Sequence, residues 1–192
     1  GPVMELGYPR NDQMLADDAA DVRRRVRRSL GIEDHQRVVL YAPTWRDNLR
    51  VGRVFDKVLY LDPHEVVERL DDAVVLVRGH YNSVRAAEDV DPDRRVIDVT
   101  RYPDIADLYV AADAMVTDYS SVFFDFVLTD KPMVFLAPDL VEYRDDNRGF
   151  YLDYHETVPG PVVLTTAEVV ETLRGPDTYA ARREAFREEF TP

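Results

Sequence analysis

Residues 114–136 read AMVTDYSSVFFDFVLTDKPMVFL, and this stretch decides the fold. The apolar run Ala114–Thr117 predicts a buried strand, residues 120–128 predict a helix, and residues 132–136 predict a second strand. The alternation continues toward the N-terminus, with strands predicted at 37–42, 73–77 and 95–99 and helices at 63–70, 81–88 and 103–112. Short apolar strands that alternate with helices form a parallel sheet covered on both faces. We therefore predict an α/β fold with a doubly wound, Rossmann-like parallel sheet.

The two ends of the chain also have readable patterns. Asn11 or Asp12 predicts the cap of a helix that runs to Leu30, with Gly31 as its stop. Residues 137–161 predict a long irregular stretch, followed by helices at 166–173 and 177–190. Gly1-Pro2 resembles a scar left by protease cleavage, so we take residues 3–192 as one domain. We expect this domain to be a piece of a longer protein.

Composition excludes several classes of protein. The chain has 192 residues with 24 Lys+Arg and 37 Asp+Glu, for a net charge of −13, and it has no cysteine. The absence of cysteine excludes disulfides, a cysteine nucleophile and thiolate metal ligands. The negative charge argues against nucleic acid as a partner. No apolar run approaches the roughly 18 residues that a membrane-spanning helix needs.

Basic and hydroxyl side chains follow the predicted strands. Ligands of doubly wound sheets bind at the carboxyl ends of the strands, so these side chains are expected to meet at one rim. The residues that follow four of the five predicted strands include Thr44, Arg46, Arg78, His80, Tyr102, Asp104, Asp118, Ser120 and Ser121. Such a rim predicts an anionic ligand. The sequence contains neither a GxGxxG motif nor a Walker A motif, so a dinucleotide-binding site or a P-loop site lacks its signature.

Several basic and hydroxyl residues of the chain also have a purely structural interpretation. Ser120 and Ser121 could donate to a phosphate at a helix N-terminus, or one of them could simply cap the helix. His80 could donate to phosphate oxygens, move a proton or belong to a surface loop. Arg46 and Arg148 could grip a phosphate or remain solvated. The arginine-rich run at 23–28 is interpreted as a solvated helix face, with a membrane or polyanion patch as the alternative.

Seven short segments form an ordered set of motifs along the chain: GYPRND (7–12), YAPTWRD (41–47), VRGHY (77–81), DIADLY (104–109), TDYSS (117–121), RGFY (148–151) and PGP (159–161). Taken in this order, they resemble the CDP-glycerol:poly(glycerophosphate) glycerophosphotransferases of teichoic-acid and capsule synthesis. The resemblance covers nearly the whole chain. It implies a GT-B architecture, in which two Rossmann-like domains hold the donor between them. This chain resembles the C-terminal, donor-binding half.

The resemblance also implies roles for particular residues. His80 would be the catalytic residue of this half, and it would stabilise or protonate the leaving pyrophosphate oxygen. The donor-binding residues would be Arg46, Arg78, Tyr102, Asp104, Asp118, Ser120, Ser121 and Arg148, with the cytosine near 102–104. No metal and no cofactor besides the donor substrate are assigned. The Trp-His-Gly-Thr motif of the family's other half, whose histidine is the expected general base, is absent from this sequence.

The implied function is transfer of glycerol phosphate from CDP-glycerol to a growing teichoic-acid or capsule polymer, with release of CMP. The expected partners are therefore CDP-glycerol, a polyol-phosphate acceptor polymer and the missing N-terminal half. The expected location is the cytoplasm, with the full-length protein peripheral on the inner face of the cell membrane. Two alternatives stay open. One is a related transferase that uses CDP-ribitol or another activated donor, and the other is a non-catalytic module that docks to the cell envelope.

Overall fold

A six-stranded parallel sheet organises the part of the chain that the computed structural model describes, namely residues 18–44, 50–51, 54–55, 60–79, 94–139 and 154–190. Its strands are β1 Arg37–Tyr41, β4 Ala73–Val77, β5 Val96–Asp98, β6 Ala114–Thr117, β7 Met133–Leu136 and β8 Val162–Val163. Two short strands, β2 Arg50–Val51 and β3 Val54–Phe55, form a separate antiparallel pair. The helices are α1 Ala19–Ser29, α2 Pro63–Arg69, α3 Ile105–Ala111, α4 Val122–Phe126, α5 Tyr154–Thr157, α6 Thr166–Arg174 and α7 Ala180–Phe190.

The order of the strands defines where a ligand can bind. The strands lie side by side as β5-β4-β1-β6-β7-β8, and every neighbouring pair is parallel. In chain order this is the 3-2-1-4-5-6 arrangement of the Rossmann fold, which confirms the predicted fold class. The chain reverses direction across the sheet between β1 and β6. That switch point leaves a crevice at the carboxyl ends of these two strands.

Both faces of the sheet are buried. Alternate residues of β1 point to opposite sides, so that Val38 and Leu40 pack on one face while Val39 and Tyr41 pack on the other. Helices α1, α3, α4 and α7 cover the first face, and helices α2 and α6 cover the second. Burial on both sides explains why the strands are continuous apolar runs.

Several predicted boundaries differ from the structure. Helix α1 begins at Ala19, and Gly31 follows its end with a positive φ of 74°, as predicted, whereas the predicted cap at Asn11 or Asp12 lies outside the described residues. Pro103 lies outside α3 because Asp104 caps that helix. Helix α4 is shorter than predicted and continues as a 3₁₀ turn over Val127–Thr129. The stretch predicted as irregular contains α5, and strand β8 was not predicted. The helix predicted at 81–88 lies outside the described residues.

Candidate functional site at the carboxyl rim

Hydrogen bonds join the carboxyl ends of four neighbouring strands into one rim. Gly79 N donates to Thr100 Oγ1 at 3.0 Å and Arg78 N donates to Tyr41 O at 2.8 Å. Thr117 Oγ1 donates to Ala42 O at 2.8 Å, which links the ends of β6 and β1. The predicted convergence of the strand-end segments on one edge is therefore confirmed for the described residues, across β5, β4, β1 and β6.

Asp118 organises the crevice at the switch point. Asp118 is only 2% exposed. Its carboxylate oxygen Oδ1 accepts from Thr44 N at 2.7 Å and from Ser120 N at 3.3 Å. The Asp118 carbonyl accepts from the Tyr154 hydroxyl at 2.8 Å. A buried carboxylate that accepts from backbone N–H groups holds the loops that carry them in fixed positions. The geometry thus gives Asp118 a positioning role at the crevice.

Ser120 and Ser121 lie between this crevice and α4. Ser121 occupies the N-cap position of α4, but its side chain makes no capping hydrogen bond. The alternative in which Ser121 is present only to cap the helix is therefore not what the structure shows. Both serines are at least partly exposed. Their contact with a phosphate stays a prediction.

Arg78 connects two loops of the rim by hydrogen bonds to backbone carbonyls. Its Nη1 donates to Val99 O at 3.0 Å and to Tyr102 O at 2.6 Å, which ties the end of β4 to the loop after β5. Burial lowers the pKa of the Arg78 guanidinium, and nearby Asp104 opposes that shift. Arg78 therefore shapes the segment at 99–102, and a direct contact with a donor remains a prediction.

Tyr102 and Asp104 are held by their own loop and helix. The Tyr102 hydroxyl lies 3.2 Å from Asp107 Oδ2, and burial followed by the Asp107 carboxylate raises the pKa of Tyr102. The Asp104 carboxylate caps α3 by accepting from Ala106 N at 2.9 Å. These contacts fix the backbone of 102–104, the segment predicted to lie beside the cytosine.

One rim residue was missed by the sequence reasoning. Asp139, which follows β7, accepts from the Tyr60 hydroxyl at 3.1 Å and from the Tyr119 hydroxyl at 3.2 Å. Tyr119 lies between Asp118 and Ser120, so Asp139 helps to fix the loop that carries the two serines. The signal for it in the sequence is its position three residues after the predicted strand at 132–136.

Three predicted site residues lie outside the described residues. They are His80, Arg46 and Arg148, and their proposed roles stay predictions. Within the described ranges no group of three His, Cys, Asp or Glu side chains could hold a metal ion. The rim that the structure does describe is thus built from backbone N–H groups, hydroxyls and a buried carboxylate.

The arginine run on α1 belongs to the opposite end of the sheet. Arg27 is 3% exposed. The Nη2 atoms of Arg23 and Arg27 each donate to a carboxylate oxygen of Asp113 at 2.5 Å. Asp113 lies directly before β6. Arg23, Arg27 and Lys131 also donate to carbonyls at the C-terminal end of α3. We call Arg23, Arg27, Lys131 and Asp113 the basal cluster. The prediction of a uniformly solvated face is therefore wrong for Arg23 and Arg27, because helix C-terminal carbonyls need donors.

The Lys131 amine in the basal cluster should titrate near pH 8. Burial, followed by the charge of Arg23, lowers its pKa from 10.5 to about 8. Because the unfolded chain binds this proton more tightly, the free energy of unfolding should rise as the pH climbs from about 8 toward 10.5. Lys57 and Lys131 are the only lysines, so ¹³C/¹⁵N NMR of the lysine side chains gives two signals. Lys131→Arg removes one of them and assigns it, and a Lys131 signal that titrates near 10.5 contradicts the prediction.

Comparison with known proteins gives one consistent result. The model of the CDP-Glycerol:Poly(glycerophosphate) glycerophosphotransferase family matches residues 1–192. The chain is 41% identical over 177 residues to a teichoic acid poly(glycerol phosphate) polymerase of Bacillus subtilis (strain 168), covering 90% of this chain and 23% of the relative. It is 38% identical over 196 residues to a teichoic acid glycerol-phosphate transferase of Staphylococcus aureus (strain NCTC 8325 / PS 47), covering 98% and 50%.

A solved structure agrees with these relatives. The fold matches that of the wall teichoic acid polymerase TagF, in a histidine-to-asparagine variant soaked with CDPG, with a TM-score of 0.83 and 33% identity. The match covers 97% of this chain and 47% of that chain. The chain thus spans half or less of the length of these proteins. With the family match extending over every residue, the chain belongs to the CDP-glycerol:poly(glycerophosphate) glycerophosphotransferase family.

Proposed function

We propose that this chain is the donor-binding half of a transferase that moves glycerol phosphate from CDP-glycerol to a growing teichoic-acid or capsule polymer. The observation that carries the proposal is the switch-point crevice. There the buried Asp118 carboxylate fixes the N–H groups of Thr44 and Ser120, and the hydroxyl-bearing Ser120 and Ser121 follow Asp118 closely in the chain. Such crevices are where doubly wound sheets bind nucleotides. The family supplies the chemical identity of the donor.

In the proposed reaction the terminal hydroxyl of the acceptor polymer attacks the glycerol-bearing phosphorus of CDP-glycerol. A new P–O bond forms, the P–O bond to CMP breaks, and CMP leaves. The hydroxyl proton passes to a base supplied by the other half of the protein. This half positions the diphosphate and neutralises charge on the departing phosphate through hydroxyls, backbone N–H groups and His80.

Calorimetric titration of the 192-residue chain tests the proposal. We expect CDP-glycerol and CMP to bind and UDP to bind more weakly, because the site is proposed to recognise cytosine. Absence of binding at millimolar CDP-glycerol overturns the proposal. A series of CDP-linked donors that includes CDP-ribitol tests the alternative donor. The identities of 41% and 38% to two glycerol-phosphate enzymes favour the glycerol compound.

Replacing Ser120 and Ser121 together by alanine should weaken CDP-glycerol binding by about 1–3 kcal/mol, since each lost hydroxyl leaves a phosphate oxygen without a donor. Calorimetry measures the change. Thr172→Ala is the matched control, because that hydroxyl donates to Glu168 O within α6 at 2.8 Å. The predicted phosphate contact is wrong if the double variant binds as tightly as the control.

We further propose that the full-length protein works at the inner face of the cell membrane, where its polymer grows. Among the described residues, no helix combines the length and apolarity that crossing a bilayer requires. The hypothesis that the arginine run attaches the chain to a membrane is weakened by the basal cluster, because Arg23 and Arg27 already donate to the carboxylate of Asp113. Arg24 and Arg25 pair with Asp21 and Asp107. Co-sedimentation with anionic liposomes at low and high salt tests the docking alternative, which predicts salt-sensitive binding of this chain.

A further inference from the structure

Thr44 has an unsatisfied hydroxyl at the switch point. Its backbone N–H is held 2.7 Å from Asp118 Oδ1, the same oxygen that accepts from Ser120 N. Thr44, which follows β1, and Ser120, which follows β6, are therefore held against the same carboxylate oxygen. The Thr44 Oγ1 atom is buried and has no hydrogen-bond partner within the described part of the chain.

An orphaned hydroxyl is unusual in a folded protein. Buried polar groups almost always have a partner, and leaving one without a partner destabilises the folded state. Thr117 provides the contrast, because it ends β6 at the same crevice and donates from Oγ1 to Ala42 O at 2.8 Å. Among the described residues, the Thr117 hydroxyl therefore has a hydrogen-bond partner and the Thr44 hydroxyl has none.

We infer that Thr44 is a positioning residue for the donor, and that its hydroxyl donates to a phosphate oxygen of the CDP-linked substrate. This inference rests on the proposed function, since it names a further contact of the same site. Three features support it: the location at the switch point, the fixed backbone, and the lack of an internal partner.

Thr44→Val separates this role from a structural one. Valine has nearly the shape of threonine and removes the orphaned hydroxyl, so the unliganded variant should melt a few degrees above the wild type. The same variant should bind CDP-glycerol about tenfold more weakly. Inorganic pyrophosphate, used as a competitor, should displace CDP-glycerol less well from the variant if the contact is to phosphate. Thr44→Ser retains the hydroxyl and should bind within about twofold of wild type.

Thr117→Val is the matched control for stability. It removes a partnered hydroxyl from the same crevice and leaves Ala42 O without its donor, so it should melt below the wild type. The inference is overturned if Thr44→Val binds CDP-glycerol like the wild type, or if it is destabilised or unfolded, since the hydroxyl then has an internal partner. If the wild-type chain itself does not bind CDP-glycerol, the proposed function fails and takes the inference with it.

Discussion

Replacing Asp113 by asparagine should lower the free energy of unfolding by about 3 kcal/mol, the cost of removing one partner from a buried ion pair. The Arg27 side chain is only 4% exposed, and the Asp113 carboxylate lies 2.5 Å from its guanidinium. Asp113 also accepts from Val38 N at 2.8 Å. Asparagine keeps the shape but removes the negative charge of Asp113 from beside Arg23, Arg27 and Lys131.

Urea unfolding followed by circular dichroism measures this loss. The matched control is Asp21→Asn, because Asp21 pairs with Arg24 where the two side chains are 72% and 59% exposed. That variant should change the free energy of unfolding by less than about 0.5 kcal/mol. Equal effects of the two substitutions would show that the basal cluster does not stabilise the fold.

The pH dependence gives the Asp113 prediction a second measurement. Burial opposes ionisation of Asp113, but the Val38 N–H and the two arginines outweigh it and lower the pKa of the carboxyl. A folded-state pKa below the unfolded value adds stability above the unfolded pKa of about 3.9, and this stability is lost as the pH falls through the folded-state value. The difference between wild type and Asp113→Asn should therefore be present at pH 7 and shrink in acid. The pKa of Lys131 should also fall further in the variant, because Asp113 raises it.

The sequence predicts the sheet better than it predicts the contacts that stabilise it. Strands β1, β4, β6 and β7 are apolar runs buried on both faces, and that pattern is visible in a single sequence. Strand β8 has only two residues, too few for any periodicity, so it was missed. The convergence of strand ends follows from parallel topology, which is why the rim could be anticipated without knowing which strands are neighbours.

Side-chain partners are not visible in the sequence because they depend on contacts between distant parts of the chain. Arg23 and Arg27 are four residues apart and follow Val22 and Val26, which lie in the core, so their inward position was visible in the helical spacing. Their partner Asp113 lies 86 or more residues away and could not be identified from spacing. In the same way, the contacts of Asp118 Oδ1 with the N–H groups of Thr44 and Ser120 could not be identified from spacing, and the contact of Asp118 with the donor stays a prediction.

Gly160→Ala should lower the free energy of unfolding by about 3 kcal/mol, because the added methyl group has no space. A Cβ at this position would lie 2.2 Å from Met133 O and 3.1 Å from a ring carbon of Phe135. Strand β7 cannot easily move aside, since it pairs with β6 on one side and β8 on the other. The next residue, Pro161, is itself tied to β7, because its carbonyl accepts from Phe135 N at 2.8 Å. This close approach explains why the PGP motif has glycine at its centre.

Gly175→Ala is the control for the Gly160 substitution. There a Cβ would lie 3.6 Å from the nearest atoms, the carbonyl oxygens of Glu171 and Thr172, which is ordinary contact. The same one-carbon change should therefore leave the unfolding midpoint in urea almost unchanged at 175 and lower it strongly at 160. If the two alanine variants unfold at the same urea concentration, the backbone at 158–161 must yield to the methyl group. Strand β7 would then not be the rigid support that holds Asp139, and through it Tyr119, at the rim.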